Sequence, residues 1–218
     1  MNFAILVRGP VRPNAQAALS RAAALASEVR AQGHNATVFF AMWSVPDRAV
    51  LSLITNSPVV DHCLFTHPPA DDVILDYCGG MEFLKGGRSS RNTFYQYYLS
   101  KIAIEAISVS GMADYIIHTR PDLDIRMGRH FFDWITDTEY CTLHKKLDGD
   151  TFVNDQFAVA RVEIMRKAWD FGTLADLGAL IQNSVIPEHV LDQMIENSDT
   201  SVQVSPFEVW ELDPARNA

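Results

Sequence analysis

The sequence is poor in cysteine and holds no long apolar run. Its three cysteines, Cys63, Cys78 and Cys141, lie far apart and form no Cys-x-x-Cys pair. An odd number of distant thiols argues against a disulfide framework or a structural zinc site and favours a reducing compartment. No run approaches the roughly 18 apolar residues of a membrane-spanning helix, and residues 1–7 are too short for a signal peptide. We therefore expect a cytoplasmic protein without a transmembrane segment, which leaves room for association with a membrane-bound assembly.

Lysine is scarce as well. The 18 basic residues comprise 13 arginines and 5 lysines, and against 27 acidic residues they give a formal net charge of −9. This balance argues against duplex nucleic acid or an anionic membrane as the main partner, because such partners usually require a basic footprint. The arginine excess reflects either genomic codon bias or sites for phosphate and carboxylate groups, which the planar guanidinium suits.

The remaining composition is that of a folded domain. Of 218 residues, 48% are hydrophobic and 21% charged, which excludes a disordered chain, a collagen and a coiled coil. A chain of this length can bury a core without metal or disulfide support. We therefore predict one domain over residues 1–218.

Apolar runs alternate with helical patterns along the chain. Residues 3–7 and 115–119 are short continuous apolar runs, typical of strands buried on both faces. The other predicted strands are 37–42, 61–66, 140–144, one within 151–160, and an edge strand at 202–212; the predicted helices are 14–32, 46–55, 91–108, 162–169 and 187–197. Residues 70–90, rich in Gly and Ser, are predicted to form a long loop with one helical turn. This order indicates a single α/β domain with a mainly parallel central sheet and helices on both faces.

Polar side chains follow several of these strands. Ligands of open α/β sheets bind beyond the carboxyl ends of the strands. Residues 8–12 (RGPVR) follow the first strand, Trp43 the second, and Arg120 the strand at 115–119. Arg8, Gly9 and Arg12 precede a helix N-terminus, which is itself an anion site, although solvent-facing arginines fit the same pattern.

Residues 119–125 (TRPDLDI) form the sharpest motif. Asp122 and Asp124 are two apart, so in extended backbone both carboxylates point to one side. Mg²⁺ or Mn²⁺ is typically held by one or two carboxylates plus substrate phosphates, and Arg120 alongside suits phosphate oxygens. The alternative is a turn in which the aspartates cap backbone amides.

A second polar stretch surrounds Asn154 and Asp155. Both directly precede the predicted apolar strand 157–160, so they are expected to face the same cleft, where a carboxylate can serve as general base. Asp148 and Asp150 fit an exposed turn instead. The histidines form no metal pattern, and His118, inside a strand, is expected to be a packing residue.

Six motifs in order resemble a known family. They are RGPVR at 8–12, FFAMWS at 39–44, NTFYQ at 92–96, YIIHTRPD at 115–122, NDQFA at 154–158 and PEHVL at 187–191. Together they are similar to the GT-A-type glycosyltransferases of bacterial surface-polysaccharide synthesis, the WavE-like lipopolysaccharide-synthesis group and its capsular relatives. The resemblance spans residues 3–195 and implies a GT-A-like fold, with a Rossmann-type nucleotide-binding half at 1–125 and an acceptor half at 126–218.

The resemblance also implies a function. A nucleotide-sugar donor would lie at the sheet edge, with Mn²⁺ or Mg²⁺ between Asp122 and Asp124, and the acceptor would be a glycan or a lipid-linked molecule. Arg120 would stabilise the leaving diphosphate, and Asp155 would bind a sugar hydroxyl or act as the base.

The other candidate site residues would bind the donor. They are Arg8, Gly9, Arg12, Trp43 and Asn154. Trp43 and Tyr95 would stack on the base or the sugar, unless they are core residues. Two alternatives stay open: a non-catalytic nucleotide-sugar-binding module, and a metal-dependent phosphohydrolase.

Overall fold

The computed structural model describes residues 1–11, 14–43, 47–125, 131–135, 137–147, 150–204 and 210–212, without the side chains of 143–152 and 210–212. Strands and helices alternate through these ranges. In chain order they are β1 (Asn2–Arg8), α1 (Ala15–Ala31), β2 (Asn35–Trp43), α2 (Arg48–Thr55), β3 (His62–Thr66), α3 (Asp71–Tyr77), α4 (Ser90–Ser110), β4 (Tyr115–Thr119), β5 (Leu123–Ile125), β6 (Tyr140–Leu147), β7 (Asp150–Arg161), α5 (Val162–Ala168), α6 (Leu174–Asn183), α7 (Pro187–Asn197), β8 (Val202–Val204) and β9 (Trp210–Leu212).

A seven-stranded sheet forms the centre, in the order β3-β2-β1-β4-β7-β6-β8. Its first four strands are parallel, with Phe3 of β1 opposite Ala36 of β2 and Tyr115 of β4. β7 runs antiparallel to both β4 and β6, and β8 pairs with β6 in parallel. β5 and β9 form a separate antiparallel pair. The predicted mainly parallel sheet is confirmed.

Both faces of the sheet are covered. The even residues of β1, Ala4 and Leu6, pack with α3 to α7, whereas the odd residues Phe3, Ile5 and Val7 pack with α1 and α2. Burying one such large aliphatic side chain contributes about 1.5–3 kcal/mol relative to leaving it exposed. Helices on both faces, as predicted, follow from the alternation of strand side chains.

Local signals at the helix ends agree with the sequence. The Asn14 side chain caps α1 by accepting from Ala17 N at 2.9 Å, and Ser89 caps α4. α4 ends at Gly111, whose φ of +64° places it in the left-handed region that favours glycine. Across the described ranges, no helix is both long and apolar enough to cross a bilayer.

The structure differs from the sequence prediction in three places. The predicted loop at 70–90 contains the two-turn helix α3. This helix packs against α6, and the sequence analysis did not predict α6. The close approach of the two requires Gly178, because a Cβ there would lie 2.2 Å from the Tyr77 carbonyl oxygen. Of the predicted edge strand at 202–212 the structure describes 202–204 and 210–212, which form β8 and β9 in different sheets.

Candidate functional site

The carboxyl ends of β1, β2 and β4 meet the first half of β7 at one edge of the sheet. His118 of β4 pairs with Ala158 of β7. Because β7 is antiparallel to β4, residues before Ala158 continue past the end of β4. Asn154 and Asp155 therefore lie at the edge of the sheet where Arg120 follows the end of β4. Both residues belong to β7 itself, whereas the sequence analysis had placed them directly before a strand.

Arg8 is the last residue of β1, and its guanidinium turns into the protein. The residue is 3% exposed. Its Nε donates to His118 Nε2 at 3.1 Å and its Nη2 donates to the Asp155 carbonyl oxygen at 2.6 Å. The guanidinium also lies over the Trp169 ring, 5.8 Å from its centroid. Arg8 thus ties β1 to β4 and β7; its contact with a nucleotide stays a prediction.

Electrostatics link Arg8 to the two predicted catalytic residues. Burial lowers the pKa of Arg8 from its ordinary value to about 10, the nearby Asp155 carboxylate opposes this shift, and the Arg120 cation adds to it. Both Asp155 and Arg120 therefore act on the same buried cation. The three charges form one electrostatic unit at the edge of the sheet.

Asp155 keeps one carboxylate oxygen without a partner. The residue is 3% exposed, and its Oδ2 accepts a hydrogen bond from Gln96 Nε2 of α4. Its Oδ1 is buried and has no hydrogen-bond partner among the described residues, and neither has Thr119 Oγ1 at the end of β4. Because buried polar atoms are normally paired, these two atoms indicate a place for ligand hydroxyl groups.

Asn154 stabilises the backbone of β7. Its Oδ1 accepts from Gln156 N at 2.7 Å and from Phe157 N at 3.3 Å. Its carbonyl oxygen accepts from Thr142 Oγ1 at 3.2 Å. These contacts hold the backbone beside Asp155, and the predicted role of Asn154 in donor binding stays a prediction.

Arg120 and Asp122 form an ion pair directly after β4. Arg120 Nε donates to Asp122 Oδ1 at 2.9 Å and Arg120 Nη2 donates to Asp122 Oδ2 at 2.7 Å. Asp122 is 1% exposed, whereas Asp124 on β5 is half-buried. Arg21 of α1 donates to the Pro121 carbonyl oxygen at 3.0 Å. This hydrogen bond holds the backbone between Arg120 and Asp122.

The carboxylates of Asp122 and Asp124 are compatible with a divalent cation whose other ligands are phosphate oxygens. Within the described part of the chain, no three His, Cys, Asp or Glu side chains form a metal cage. Mg²⁺ and Mn²⁺ sites need only one or two carboxylates when phosphates complete them. Each oxygen of a carboxylate has about two acceptor sites, so a carboxylate that pairs with an arginine can also bind a cation. Asp122 and Asp124 therefore fit such an ion chemically.

The remaining predicted residues lie near the ends of β1 and β2. Gly9 has φ +113° and donates from its N–H to the Ala41 carbonyl oxygen at 3.1 Å. Trp43 is half-buried, and its ring centroid lies 5.2 Å from that of Tyr95 and 5.9 Å from that of Tyr98. Trp43 is thus part of an aromatic cluster, as the core alternative requires, yet keeps an exposed portion. Arg12 lies outside the described residues, as does the start of the turn predicted around Asp148.

His118 is more than a packing residue. Its ring lies 4.5 Å from that of Trp169, but its Nε2 also accepts from Arg8. An arginine Nε always donates, so the neutral imidazole carries its proton on Nδ1. Burial, followed by the charge of Arg8, lowers the pKa of His118 well below 6.5, which keeps the ring neutral.

We expect the free energy of unfolding to fall as the pH drops below about 6.5, because His118 gains a proton only when the chain unfolds. The unfolded state then binds more protons than the folded state, so stability rises with pH in this window, by up to about 1.4 kcal/mol per unit. Urea unfolding at a series of pH values measures the slope. His118→Gln should flatten it, whereas His34, whose pKa burial also lowers, contributes equally to both proteins. Equal slopes would contradict this account.

Sequence reasoning missed the partners that hold Asp155 and Arg8. Gln96 stood in the NTFYQ motif, but no local signal connected it to a residue 59 positions away. Trp169 had been assigned only to the end of a helix. These contacts arise from the order of the strands, which brings β1, β4, β7 and α4 together.

Comparison with known proteins agrees with this architecture. No protein-family profile and no curated protein matches the chain. Among solved structures, it is similar to the catalytic domain of Drosophila β1,4-galactosyltransferase 7 in complex with xylobiose, with a TM-score of 0.50, 14% identity, and coverage of 96% of this chain and 67% of that one. Mouse xyloside xylosyltransferase 1, in its apo form, gives a TM-score of 0.50 and 10% identity over 94% of this chain and 85% of that one.

The chain has a GT-A-like fold. This confirms the fold class that the motif resemblance implied. At identities of 10% and 14% the likeness concerns the fold, so the reaction has to be argued from the site.

Proposed function

We propose that this protein transfers a sugar from a nucleotide-sugar donor to a glycan or related acceptor. The observation that carries the proposal is the buried Asp155 carboxylate, whose Oδ1 has no partner among the described residues, beside the Arg120–Asp122 pair. Both lie at the carboxyl edge of a GT-A-like sheet, where ligands of open α/β folds bind. The names of the two similar structures, a galactosyltransferase and a xylosyltransferase, support the same reaction class.

In this reaction an acceptor hydroxyl oxygen forms a bond to the anomeric carbon, and the bond from that carbon to the diphosphate oxygen breaks. Asp155 Oδ1 accepts a hydrogen bond from a sugar hydroxyl and, if the configuration inverts, takes the acceptor proton. Arg120 directs two of its N–H groups at Asp122 and has others to offer to the leaving phosphate oxygens.

Asp122 and Asp124 would hold Mn²⁺ or Mg²⁺ against the donor diphosphate. The chemistry supplied by a divalent cation at this place is neutralisation of the charge that builds up on the leaving group. The Arg120–Asp122 pair fixes the Asp122 carboxylate in advance, which lowers the cost of ordering it on binding.

The remaining predicted residues complete the donor side. Gly9, Arg12, Trp43 and Asn154 would surround the nucleotide sugar in the half formed by residues 1–125 and at the start of β7. Arg8 would act through its charge beside the diphosphate, since its donors to His118 and Asp155 are already engaged. Residues 126–218 would supply the acceptor side.

The motif resemblance supports a narrower proposal. The sugar acceptor would be a glycan or a lipid-linked molecule in bacterial surface-polysaccharide synthesis. The protein would then work in the cytoplasm, at the membrane periphery or within an assembly complex. This part of the proposal rests on the six ordered motifs, whereas the reaction class rests on the site and the fold.

We expect a matching nucleotide sugar to raise the melting temperature of the protein, and to do so more strongly with Mn²⁺ present. At a ligand concentration about 100 times the Kd, binding stabilises the folded state by about 2.7 kcal/mol. The metal-dependent part should be lost in Asp122→Asn and Asp124→Asn, because each change removes a negative charge that attracts the cation. A thermal-shift screen of nucleotide sugars with and without Mn²⁺ measures both effects.

Glu105→Gln, on the exposed face of α4, is the matched control and should keep the full shift. If no nucleotide sugar stabilises the wild type, the donor site is wrong. Release of nucleoside diphosphate in the same samples separates an enzyme from a non-catalytic binding module, which would bind without turnover.

A further inference from the structure

A ring of polar contacts surrounds the backbone and side chain of Asp155. Arg8 donates to the Asp155 carbonyl oxygen and to His118 Nε2. Ser100 Oγ donates its one proton to the Gln96 carbonyl oxygen at 2.9 Å and lies in polar contact with the same His118 Nε2, at 3.3 Å. Gln96 Nε2 closes the ring by donating to Asp155 Oδ2. We call these five residues the buried ring.

The buried ring draws on four separate elements. Arg8 lies on β1, His118 on β4, Asp155 on β7, and Gln96 and Ser100 one turn apart on α4. Arg8, Ser100, His118 and Asp155 are at most 3% exposed. The members fix one another, because each buried polar group that lost its partner would remain unsatisfied at a cost of about 1–3 kcal/mol.

Within the buried ring, Gln96 is the member that touches the Asp155 carboxylate. Arg8 holds only the backbone of Asp155, so it sets where the residue lies but not how its side chain turns. The donation from Gln96 occupies Oδ2 and leaves Oδ1 without a partner in the described structure. A carboxylate cannot donate, so Oδ1 can only accept.

We propose that Gln96 is a positioning residue that fixes the Asp155 carboxylate with Oδ1 directed at a substrate hydroxyl. This inference rests on the proposed function for the role of Oδ1, and it assigns to Gln96 a role that neither the motifs nor the fold specify. An amide suits the task because it donates to a carboxylate without bringing a charge of its own. A lysine or arginine there would compete for Oδ1 as well.

The test uses Gln96→Met, which keeps the length of the side chain but removes the donor. The Asp155 side chain should then leave its single rotamer, which side-chain coupling constants or a crystal structure of the variant would reveal. This readout does not depend on activity. If the Asp155 rotamer is unchanged in Gln96→Met, the positioning role is overturned, whatever the protein catalyses.

The kinetic arm uses the donor that stabilises the wild type. Turnover in Gln96→Met should fall about 10- to 100-fold, as expected for a misplaced reacting group, while the KM for the donor stays within about threefold because donor binding is untouched. Turnover in Gln96→Glu should fall further, because the new carboxylate places a like charge next to Asp155. Turnover within about twofold of wild type in Gln96→Met contradicts the proposal even if the rotamer moves.

Gln193 provides a matched control for the loss of a glutamine. It is also half-buried on a helix, and its Nε2 donates to Ser184 Oγ at 2.9 Å and to the His189 carbonyl oxygen at 3.1 Å, away from Asp155. Gln193→Met should lower stability without changing the Asp155 rotamer or turnover. If no nucleotide sugar binds the wild type, the proposed function fails, and the rotamer measurement alone decides the role of Gln96.

Discussion

Asp155→Asn is expected to lower turnover by about 10²- to 10⁴-fold, the usual contribution of a positioned general base. The substitution keeps the shape of the side chain and removes its charge and its ability to take a proton. Gln96 can still donate to an amide oxygen, so the buried ring survives in part. Release of nucleoside diphosphate from the stabilising donor, followed over time, gives the rate.

The same variant should still bind the donor. Arg120, Asp122 and Asp124 are unchanged, so the thermal shift with nucleotide sugar and Mn²⁺ should persist. Glu105→Gln, an exposed carboxyl-to-amide change on α4, should retain wild-type turnover. If Asp155→Asn turns over within a few-fold of the wild type, Asp155 is not the base, and its Oδ1 contributes no more than binding of a sugar hydroxyl.

The proposed separation of roles between Asp155 and Asp124 is based on their burial. Asp155 on β7 is buried and contacts Gln96 of α4, in an environment where a carboxylate is shielded from water and its interactions are strong. Asp124 is half-buried and therefore more accessible to a metal ion from solution. Two carboxyl environments at one sheet edge are suited to two tasks, one in proton transfer and one in cation binding.

The sequence predicted the central part of the fold because its signals there are local. β4 and α7 have the predicted bounds: β4 is a continuous apolar run, and α7 begins at Pro187, which suits a first helical position. α6 was missed because Gly178 interrupts a short pattern. A capping box of Thr173 and Asp176 marks its start and could have revealed it.

The candidate site was predicted in position but not in its contacts. Reading the residues after each strand was enough to bring Arg8 and Asp122 to one edge, since parallel strands share their carboxyl ends. Asp155 was expected at the same cleft as a residue that directly precedes a strand. That reading could not show that Arg8 turns inward or that Gln96 meets Asp155. Both contacts depend on β7 lying next to β4, a pairing that no local pattern in β7 specifies.

Arg8→Met is expected to destabilise the folded state by about 3–5 kcal/mol, the range for breaking a buried charge pair. The change removes from β1 the buried positive charge that the Asp155 carboxylate favours. It also leaves His118 Nε2 and the Asp155 carbonyl oxygen without their donor. Urea unfolding near neutral pH measures the loss. Arg166→Met, an exposed arginine on α5, should stay within about 0.5 kcal/mol of the wild type.

A double-mutant cycle separates the charge from the packing. If the uncompensated Asp155 carboxylate causes most of the loss, Arg8→Met combined with Asp155→Asn should be less destabilised than the sum of the two single variants, by about 0.5–3 kcal/mol. Strict additivity would mean that Arg8 acts through its contacts with His118 and Trp169 alone. Coupling would establish Arg8 as the counter-charge that allows a carboxylate to be buried at this edge, so that folding itself prepares Asp155 for its substrate.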